Sequence, residues 1–411
     1  MLNRLASLTC TLTALWLALT LTGKAAESPA LTVSAAVAEA VRNNAELRLL
    51  RAHIETVRGS ARAAATYPFN PEAVYTEGLD RHLGISQALE WPGKRALREA
   101  LAKGDIEAAE IAAAGFKIAV AAEVRTACFE WLAAREQAVT AEDECQTAQL
   151  IADAARQRVD KGFAPPSEDL KARAELVNAA RQRQAAQQAV VLAGMTLNQL
   201  LGRASDAPPP ELIGTLHETP PELPLATILN AALAGHPDLH AQLVDIRKAE
   251  AGISLARKER GPDIGIEAFY EQNARDTAEQ KAGFGVTVPL PVWSSGGAGI
   301  ASARAVKSEA ELSLEKTRGE VSVRVRRAYV VFTGAERDAA LFSPELSRQL
   351  EAQSRAAREK YAAGECTLLA LVDLQQTRRN YLKDHTDALL AVCRAWSELE
   401  EAAGIPLEEL K

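Results

Sequence analysis

The stretch GFGVTVPLPVW, Gly283 to Trp293, decides how the chain is read. Phe284, Val286, Val288 and Leu290 fall on one face of a period-2 pattern, and Gly283, Gly285, Thr287 and Pro289 fall on the other. An apolar face opposite a face of small residues fits a strand between lipid or core and a polar lumen. An ordinary half-buried strand has the same pattern, so the surrounding sequence has to separate the two.

The chain has 411 residues, enough for two or three ordinary domains. Hydrophobic residues make up 47% but aromatic residues only 5%, and much of the apolar content is Ala, which packs helices closely without building a thick globular core. A net charge of −7 argues against a nucleic-acid partner. At the N-terminus Arg4 precedes LASLTCTLTALWLALTLTG, and small residues follow at Gly23, Ala25 and Ala26. This is the layout of a signal peptide, residues 1–25, cleaved after Ala25; a retained anchor is the competing reading. Cys10 lies too early in the apolar stretch, behind a poor lipobox, to be a lipidation site. No later stretch reaches the ~18 consecutive apolar residues that a membrane helix needs, so the mature chain is expected to be exported without a helical anchor. Cys128, Cys145, Cys366 and Cys393 form no CxxC pair, and they are expected as small buried side chains on helices. A disulfide among them is open, with no pairing fixed by the sequence.

The chain repeats itself once. VRNNAELRLL (41–50) and LAGHPDLHAQ (233–242) both place a small polar break before an acidic residue and a Leu, at an offset of 192. Trp91 and Trp293, Gly162 and Gly364, and Gly202 and Gly404 align at an offset of 202. One duplication, with a length change between residues 48 and 90, gives two equivalent halves, 26–204 and 223–411. The join, 205–222 within SDAPPPELIGTLHETPPELP, stops helices on both sides through its prolines, and ELIGTLH could form a short strand.

In the first half the pattern predicts a helix over 31–66, two short strands EAVYTEGL and HLGISQALE around a turn at Asp80-Arg81 (a hairpin over 72–90), and a proline-free helix over 93–160. A turn at Gly162 and a helix over 165–203 opened by Pro165-Pro166 complete it. The second half predicts a helix over 223–260, strands over 263–273 and 281–291, a helix over 296–362, a turn at Gly364 and a helix over 366–404. VSVRVR (321–326) alternates like a strand, but its counterpart AVAAEV is helical, so a helix is predicted there too. Pro344 should kink the second long helix, and Ser343 and Glu345 are placed to cap a restarted one. At ~1.5 Å per residue the helix over 93–160 is about 100 Å long, and those over 31–66 and 165–203 are about 54 and 58 Å. Two short helices stacked end to end match one long one. Each half is a rod with a hairpin at one end and a tight turn at the other.

Four strands per chain cannot close a membrane barrel, for which ~8 is the smallest number, and edges exposed to lipid are not tolerated. Strands that enter a membrane must be pooled by several chains; three chains would supply twelve, above a hollow helical cylinder. The first hairpin is short for this, with strands of eight or nine residues against the ~9–11 that cross a bilayer.

The signal peptide, the duplicated helix–hairpin–long helix–turn–helix plan and the proline-rich join resemble the TolC family of outer-membrane efflux channels. SQALEWPGKRALREALA (86–102) is similar to the stretch after the second strand in its heavy-metal (CzcC-like) branch, and YAAGECTLLALVDLQQTRRNYL (361–382) to the family's periplasmic turn. The resemblance covers nearly the whole mature chain. It implies a mainly α fold with a small β part, in which duplicated antiparallel helices form a periplasmic α-barrel. Four strands per chain would contribute to a homotrimeric twelve-stranded barrel in outer-membrane lipid. It also implies docking through a periplasmic adaptor onto an inner-membrane pump of RND type. Tyr361 fits the Tyr that often precedes the second periplasmic turn; the family's latch Arg falls on Cys366 and its outer entrance Asp on Ala370, while the inner entrance Asp is kept as Asp373. Asp373 then either supplies a ring of three carboxylates that attracts cations, or is a solvated Asp near the start of its helix. Gly162, Phe163, Gly364 and Glu365 are the candidate tips that meet the adaptor, and the two glycines also suit plain helix C-caps.

Enzyme signals are poor. His236 and His240, four apart in HPDLH, could begin a zinc site, but their counterparts in NAELR (44–48) are not His and no third ligand is near. GxSxG, HExxH and phosphate-loop motifs are absent. No catalytic residue, metal site or cofactor is expected. The expected function is the outer-membrane channel of a tripartite efflux system, a passive conduit for cations or small toxic molecules. The alternative is a soluble periplasmic coiled-coil scaffold or adaptor-like protein, which would not need the Phe284–Leu290 face.

Overall fold

The computed structural model describes residues 31–78, 80–204, 206–216, 221, 223–273, 280–290, 296–407 and 410. The signal-peptide segment, parts of the proline-rich join, and residues 291–293 of the opening stretch lie outside the described residues.

In chain order the described elements are β1 (Leu31–Thr32), α1 (Val33–Asn43), α2 (Ala45–Ala65), β2 (Glu72–Glu77), β3 (Asp80–Leu89), α3 (Lys94–Asp160), α4 (Pro166–Leu200), β4 (Leu212–Ile213), α5 (Leu225–Gly235), α6 (Pro237–Lys258), β5 (Ile264–Asn273), β6 (Gln280–Thr287), α7 (Gly297–Ala339), α8 (Pro344–Ala363) and α9 (Leu368–Ala403). The 67 residues of α3 form the spine, about 100 Å at the usual rise. Along it pack α1, α2, α4, α6 and α9; α9 in turn carries α7 and α8. Among the described residues no helix is long and apolar enough to cross a membrane.

Three buried clusters hold the rod. One joins α1, α3 and α4 through Ala36, Ala40, Val124, Cys128, Trp131 and Leu197. A second joins α5, α7 and α9 through Ile228, Val321, Phe332, Trp396 and Leu399, with the Phe332 and Trp396 rings 5.2 Å apart. The third lies at the tip around Ile151, Ala155, Tyr361 and Leu371. Much of this core is Ala, so helix axes approach closely and each cluster is thin.

Several boundaries differ from the sequence reading. The single helix predicted over 31–66 is a bridge and two helices. Leu31 and Thr32 pair in parallel with Leu212 and Ile213 of the join, and α1 ends where Asn44 leaves the helical region to accept hydrogen bonds from the Glu46 and Leu47 amides (2.9 and 3.0 Å). The helix predicted over 223–260 breaks the same way at His236. Its Nδ1 accepts the Asp238 amide (3.1 Å), and Pro237 opens α6. At Pro344 the long second helix does not kink but stops. Pro344 is the first residue of α8, and the Ser343 hydroxyl caps it by accepting the Leu346 amide (3.0 Å). VSVRVR is helical within α7. Cys366 is half-buried in the turn before α9 rather than buried on a helix, and none of these four cysteines is in a disulfide.

The four longer strands form one antiparallel sheet in the order β2-β3-β5-β6. Asp80 and Arg81 are strand residues paired with Asn273 and Gln272, not the predicted turn. The first hairpin is uneven: β2 has six residues and β3 has ten. β6 ends at Thr287, short of the predicted 291, and Pro289 just beyond has no amide with which to continue a ladder.

Candidate functional site

The predicted site residues fall at the two ends of the rod. At the sheet end, antiparallel register puts directly opposite residues on one face. Phe284, Ala268, Ile85 and Ala73 share a row, as do Val286, Ile266 and Gln87, and Ala282, Tyr270, Leu83 and Tyr75. This face is apolar and bare: Phe284 is 90% exposed, and Val286, Ile85, Tyr75 and Leu83 are also exposed. Val288 and Leu290 are exposed as well, but lie past the end of β6. The opposite face carries Glu72, Thr76, His82, Ser86, Glu267, Glu271 and Lys281, together with Gly84, Gly265, Gly283 and Gly285.

Side chains at the foot of the sheet clamp it to the helices. Asp263 accepts hydrogen bonds from the Trp91 amide and the Lys94 ammonium, both 2.8 Å, so the start of α3 is tied to the approach to β5. The Trp91 indole lies where a Cβ on Gly261 would come within 2.7 Å, which makes glycine necessary there. Tyr67 donates to the Ala88 carbonyl and accepts the Glu90 amide, both 2.8 Å. Arg98 pairs with Glu90.

At the other end the two tips are the same motif. Phe163 N–H bonds to the Arg158 carbonyl and Gly162 N–H to that of Val159; Glu365 N–H bonds to Lys360 and Gly364 N–H to Tyr361. Both are Schellman turns, and Gly162 (φ 74°) and Gly364 (φ 82°) supply the left-handed residue. Phe163 is 74% exposed at the first tip.

Tyr361 is buried just inside the second tip. Its hydroxyl donates to Glu168 of α4 (3.3 Å), its ring lies 4.8 Å under the Arg158 guanidinium of α3, and its carbonyl accepts from Arg158 (2.8 Å). One tyrosine thus joins α8 to both α3 and α4. Burial, aided by the Glu168 carboxylate, pushes its phenol up to about 12. Asp373 is exposed on the sixth residue of α9, beyond the first turn where a helix dipole acts.

The sequence reading passed over a polar ladder that continues this joint up the rod. Arg358 donates to Thr147 (3.0 Å), buried Gln375 to Ser354 (2.9 Å), Arg378 pairs with Asp143 (3.0 Å), Arg379 with Glu144 (3.2 Å), and Arg394 with Glu130 (2.6 Å). Arg379 also reaches Gln182 of α4 (3.0 Å). Burial raises the Glu144 carboxyl above its ordinary range, opposed by Arg379 and Arg378. The only trace in the sequence is the pair of doublets, Asp143-Glu144 and Arg378-Arg379.

The histidine pair has a structural role. His236 caps α6 and packs on Gly404, while exposed His240 lies 3.1 Å from the Ala234 carbonyl. Among the described residues no group of three or more His, Cys, Asp or Glu could hold a metal ion.

The profile of the family described as outer membrane efflux protein matches residues 70–203 and 228–405. The chain belongs to this family. Its place is the outer membrane, with a long helical part in the periplasm. A cobalt-zinc-cadmium resistance protein, CzcC of Cupriavidus metallidurans, is 28% identical over 271 residues; the match covers 64% of this chain and 63% of that relative's length. The fold is similar to crystal structures of CusC (TM-score 0.73, 17% identity, 92% of this chain and 94% of that one). It is also similar to the outer membrane protein VceC of Vibrio cholerae (TM-score 0.72, 17% identity, 90% and 96%), and to the open state of the MtrE outer membrane channel of Neisseria gonorrhoeae (TM-score 0.71, 18% identity, 91% and 89%).

Proposed function

We propose that this chain is the channel component of a tripartite efflux system, a passive conduit formed by three copies. The observation that carries this is the four-stranded sheet, with one bare apolar face and, among the described residues, β2 and β6 as its edge strands. In lipid an open edge leaves amides and carbonyls without partners, so the sheet must be closed by other copies. Three copies give twelve strands, above the ~8 needed for closure. Phe284, Val286, Val288 and Leu290 then face lipid, and the glycine-rich polar face lines the lumen. The described segments of residues 26–204 and 223–411 serve as two equivalent halves of the tunnel wall.

At the periplasmic end, Tyr361 holds the entrance narrow by tying the second tip to Arg158 and Glu168, and Asp373 offers three carboxylates to entering cations. Gly162, Phe163, Gly364 and Glu365 present the tips to a periplasmic adaptor, which links the channel to an inner-membrane pump of RND type. The cargo is a cation or small toxic molecule, as the resemblance to a cobalt-zinc-cadmium resistance protein suggests. The scaffold alternative leaves the 90% exposed Phe284 and its apolar row without a reason. The test is extraction and mass: the protein should pellet with outer membranes, require detergent, and run in light scattering at three times the mass of its mature chain. A stable monomer in mild detergent, or recovery in the soluble periplasmic fraction, overturns the proposal.

A further inference from the structure

The polar face of the sheet holds one cluster that the conduit reading does not use. The Nε2 of His82 lies 3.1 Å from Glu267 Oε1, and its Nδ1 lies 3.2 Å from Glu271 Oε1. The imidazole also stacks on Phe269, with centroids 5.4 Å apart and an interplanar angle of 24°. The place is built for these contacts. A Cβ on Gly84 would come within 2.7 Å of Glu267 Oε1 and 3.1 Å of His82 Nε2, and one on Gly283 within 2.7 Å of Phe269 Cζ. The two glycines clear the space in which the carboxylate and the ring lie.

The chemistry of this arrangement is specific. A neutral imidazole carries one N–H, so it can donate to one carboxylate only, and the second carboxylate then meets a lone pair. A protonated ring donates to both. The cluster is therefore a proton station whose net charge steps between −2 and −1 as His82 releases or takes its second proton, and histidine is the side chain that does this near neutral pH. The same face carries three other charged side chains. They are Asp80 on β3, Glu72 on β2 and Lys281 on β6 opposite Glu271, with uncharged Thr76 across from His82.

We propose that the three His82–Glu267–Glu271 clusters of the assembled barrel form a selectivity station, which favours cations over anions in the lumen and does so more strongly when His82 is unprotonated. This rests on the channel reading above. The fixed charge of the three clusters doubles, from −3 to −6, as the rings deprotonate. At 0.1 M salt the screening length is about 10 Å, long enough to reach well into the lumen; at 1 M it is about 3 Å and the effect should fade.

The test is single-channel recording of the purified full-length protein in planar bilayers. The potassium-to-chloride permeability ratio is read from the reversal potential in a KCl gradient around 0.1 M, from pH 5 to pH 9. The wild type should be cation-selective throughout, and its ratio should rise about twofold along a one-proton curve. His82→Asn should abolish the step and keep the ratio near its alkaline value, while Glu267→Gln/Glu271→Gln should lower the ratio at every pH. Unchanged conductance in 1 M KCl certifies that each variant still forms the pore. A flat wild-type profile, or a step that persists in His82→Asn, overturns the inference and leaves the channel reading standing. A wild-type protein with no conductance overturns both.

Discussion

Replacing Tyr361 probes how firmly the periplasmic tip is held. The side chain is 1% exposed and packs among Ile151, Ala155, Ala172, Leu368 and Leu371. Tyr361→Ala deletes a buried aromatic ring, which costs about 3–5 kcal/mol, and the guanidinium–ring contact with Arg158 adds about 0.5–1 kcal/mol. Tyr361→Phe keeps the ring and loses only the 3.3 Å hydrogen bond to Glu168. Glu168 is half-buried and can rehydrate, so that loss is about 1 kcal/mol. These costs fall on a local unit, so native-state hydrogen exchange is the assay. In the tip helices, residues 150–160 and 368–375, exchange should speed up about fivefold in the Phe variant and more than about 100-fold in the Ala variant, given ~1.4 kcal/mol per tenfold. Exchange around Val124 and Trp131, in a different cluster, should not change. Alkaline pH gives a second reading. The phenol ionises near 10 when unfolded and at about 12 in the fold, so the folded state prefers the neutral form. Its contribution is complete below pH 10 and is lost as pH rises from 10 toward 12; Tyr361→Phe should lack this loss. If Tyr361→Ala left tip exchange within about twofold of wild type, the joint would not be holding the tip.

Three further outcomes follow from the geometry. Gly162→Ala and Gly364→Ala should each lower stability by about 1–2 kcal/mol through backbone strain alone, because a Cβ at either position meets nothing within 4 Å; thermal unfolding of single and double variants would show the costs adding. Gly283→Ala should destabilise the sheet by about 1–3 kcal/mol because its Cβ meets the rigid Phe269 ring, whereas Gly84→Ala meets the flexible end of Glu267 and should cost less; the heat resistance of the assembled protein in detergent ranks the two. Arg379→Ala strands the buried Glu144 carboxylate and should cost about 3 kcal/mol at pH 7, more than Glu144→Gln, which removes the charge itself. Since burial raises the Glu144 carboxyl, the Arg379→Ala deficit should shrink as pH falls through that group's titration, which denaturant midpoints at pH 7 and pH 5 would register.

What was legible in the sequence is what depends on local periodicity. The proline-free run before Gly162 reads as one helix because nothing in it can stop a helix, and α3 runs from Lys94 to Asp160. The alternation of Phe284 and Val286 with glycines reads as a strand with two unlike faces, which is how β6 lies. The break at Asn44 was not legible as a helix end, since Asn occurs within helices and no proline follows it. The break at His236 carried a signal that was passed over, because Pro237 cannot sit in a helix interior without breaking it. The strand character of Asp80 and Arg81 comes from their partners Asn273 and Gln272, about 190 residues away. The same distance hid the best-defined contacts of the candidate site. Arg158, Glu168 and Tyr361 belong to three helices, and His82, Glu267 and Glu271 to two strands in different halves. No window of sequence contains either set.

The surface left over after this packing bears on assembly. On α4, Leu170, Val177, Val191 and Met195 repeat at spacings of 7, 14 and 4 residues and are all exposed. On α7, Leu312, Val323 and Val330 repeat at 11 and 7 and are equally bare. Such spacings keep a stripe on one side of a helix. The two stripes lie on different parts of the surface, since α4 packs on α3 while α7 packs on α6 and α9. The sheet likewise has two unlike edges, β2 and β6. An interface that joins one stripe to the other is head-to-tail, so it must close into a ring or run on as a filament. On the channel reading, a twelve-stranded barrel lets three copies cover both the open strand edges and the apolar stripes with one rotation. A single copy would leave both stripes and the apolar face of the sheet against water.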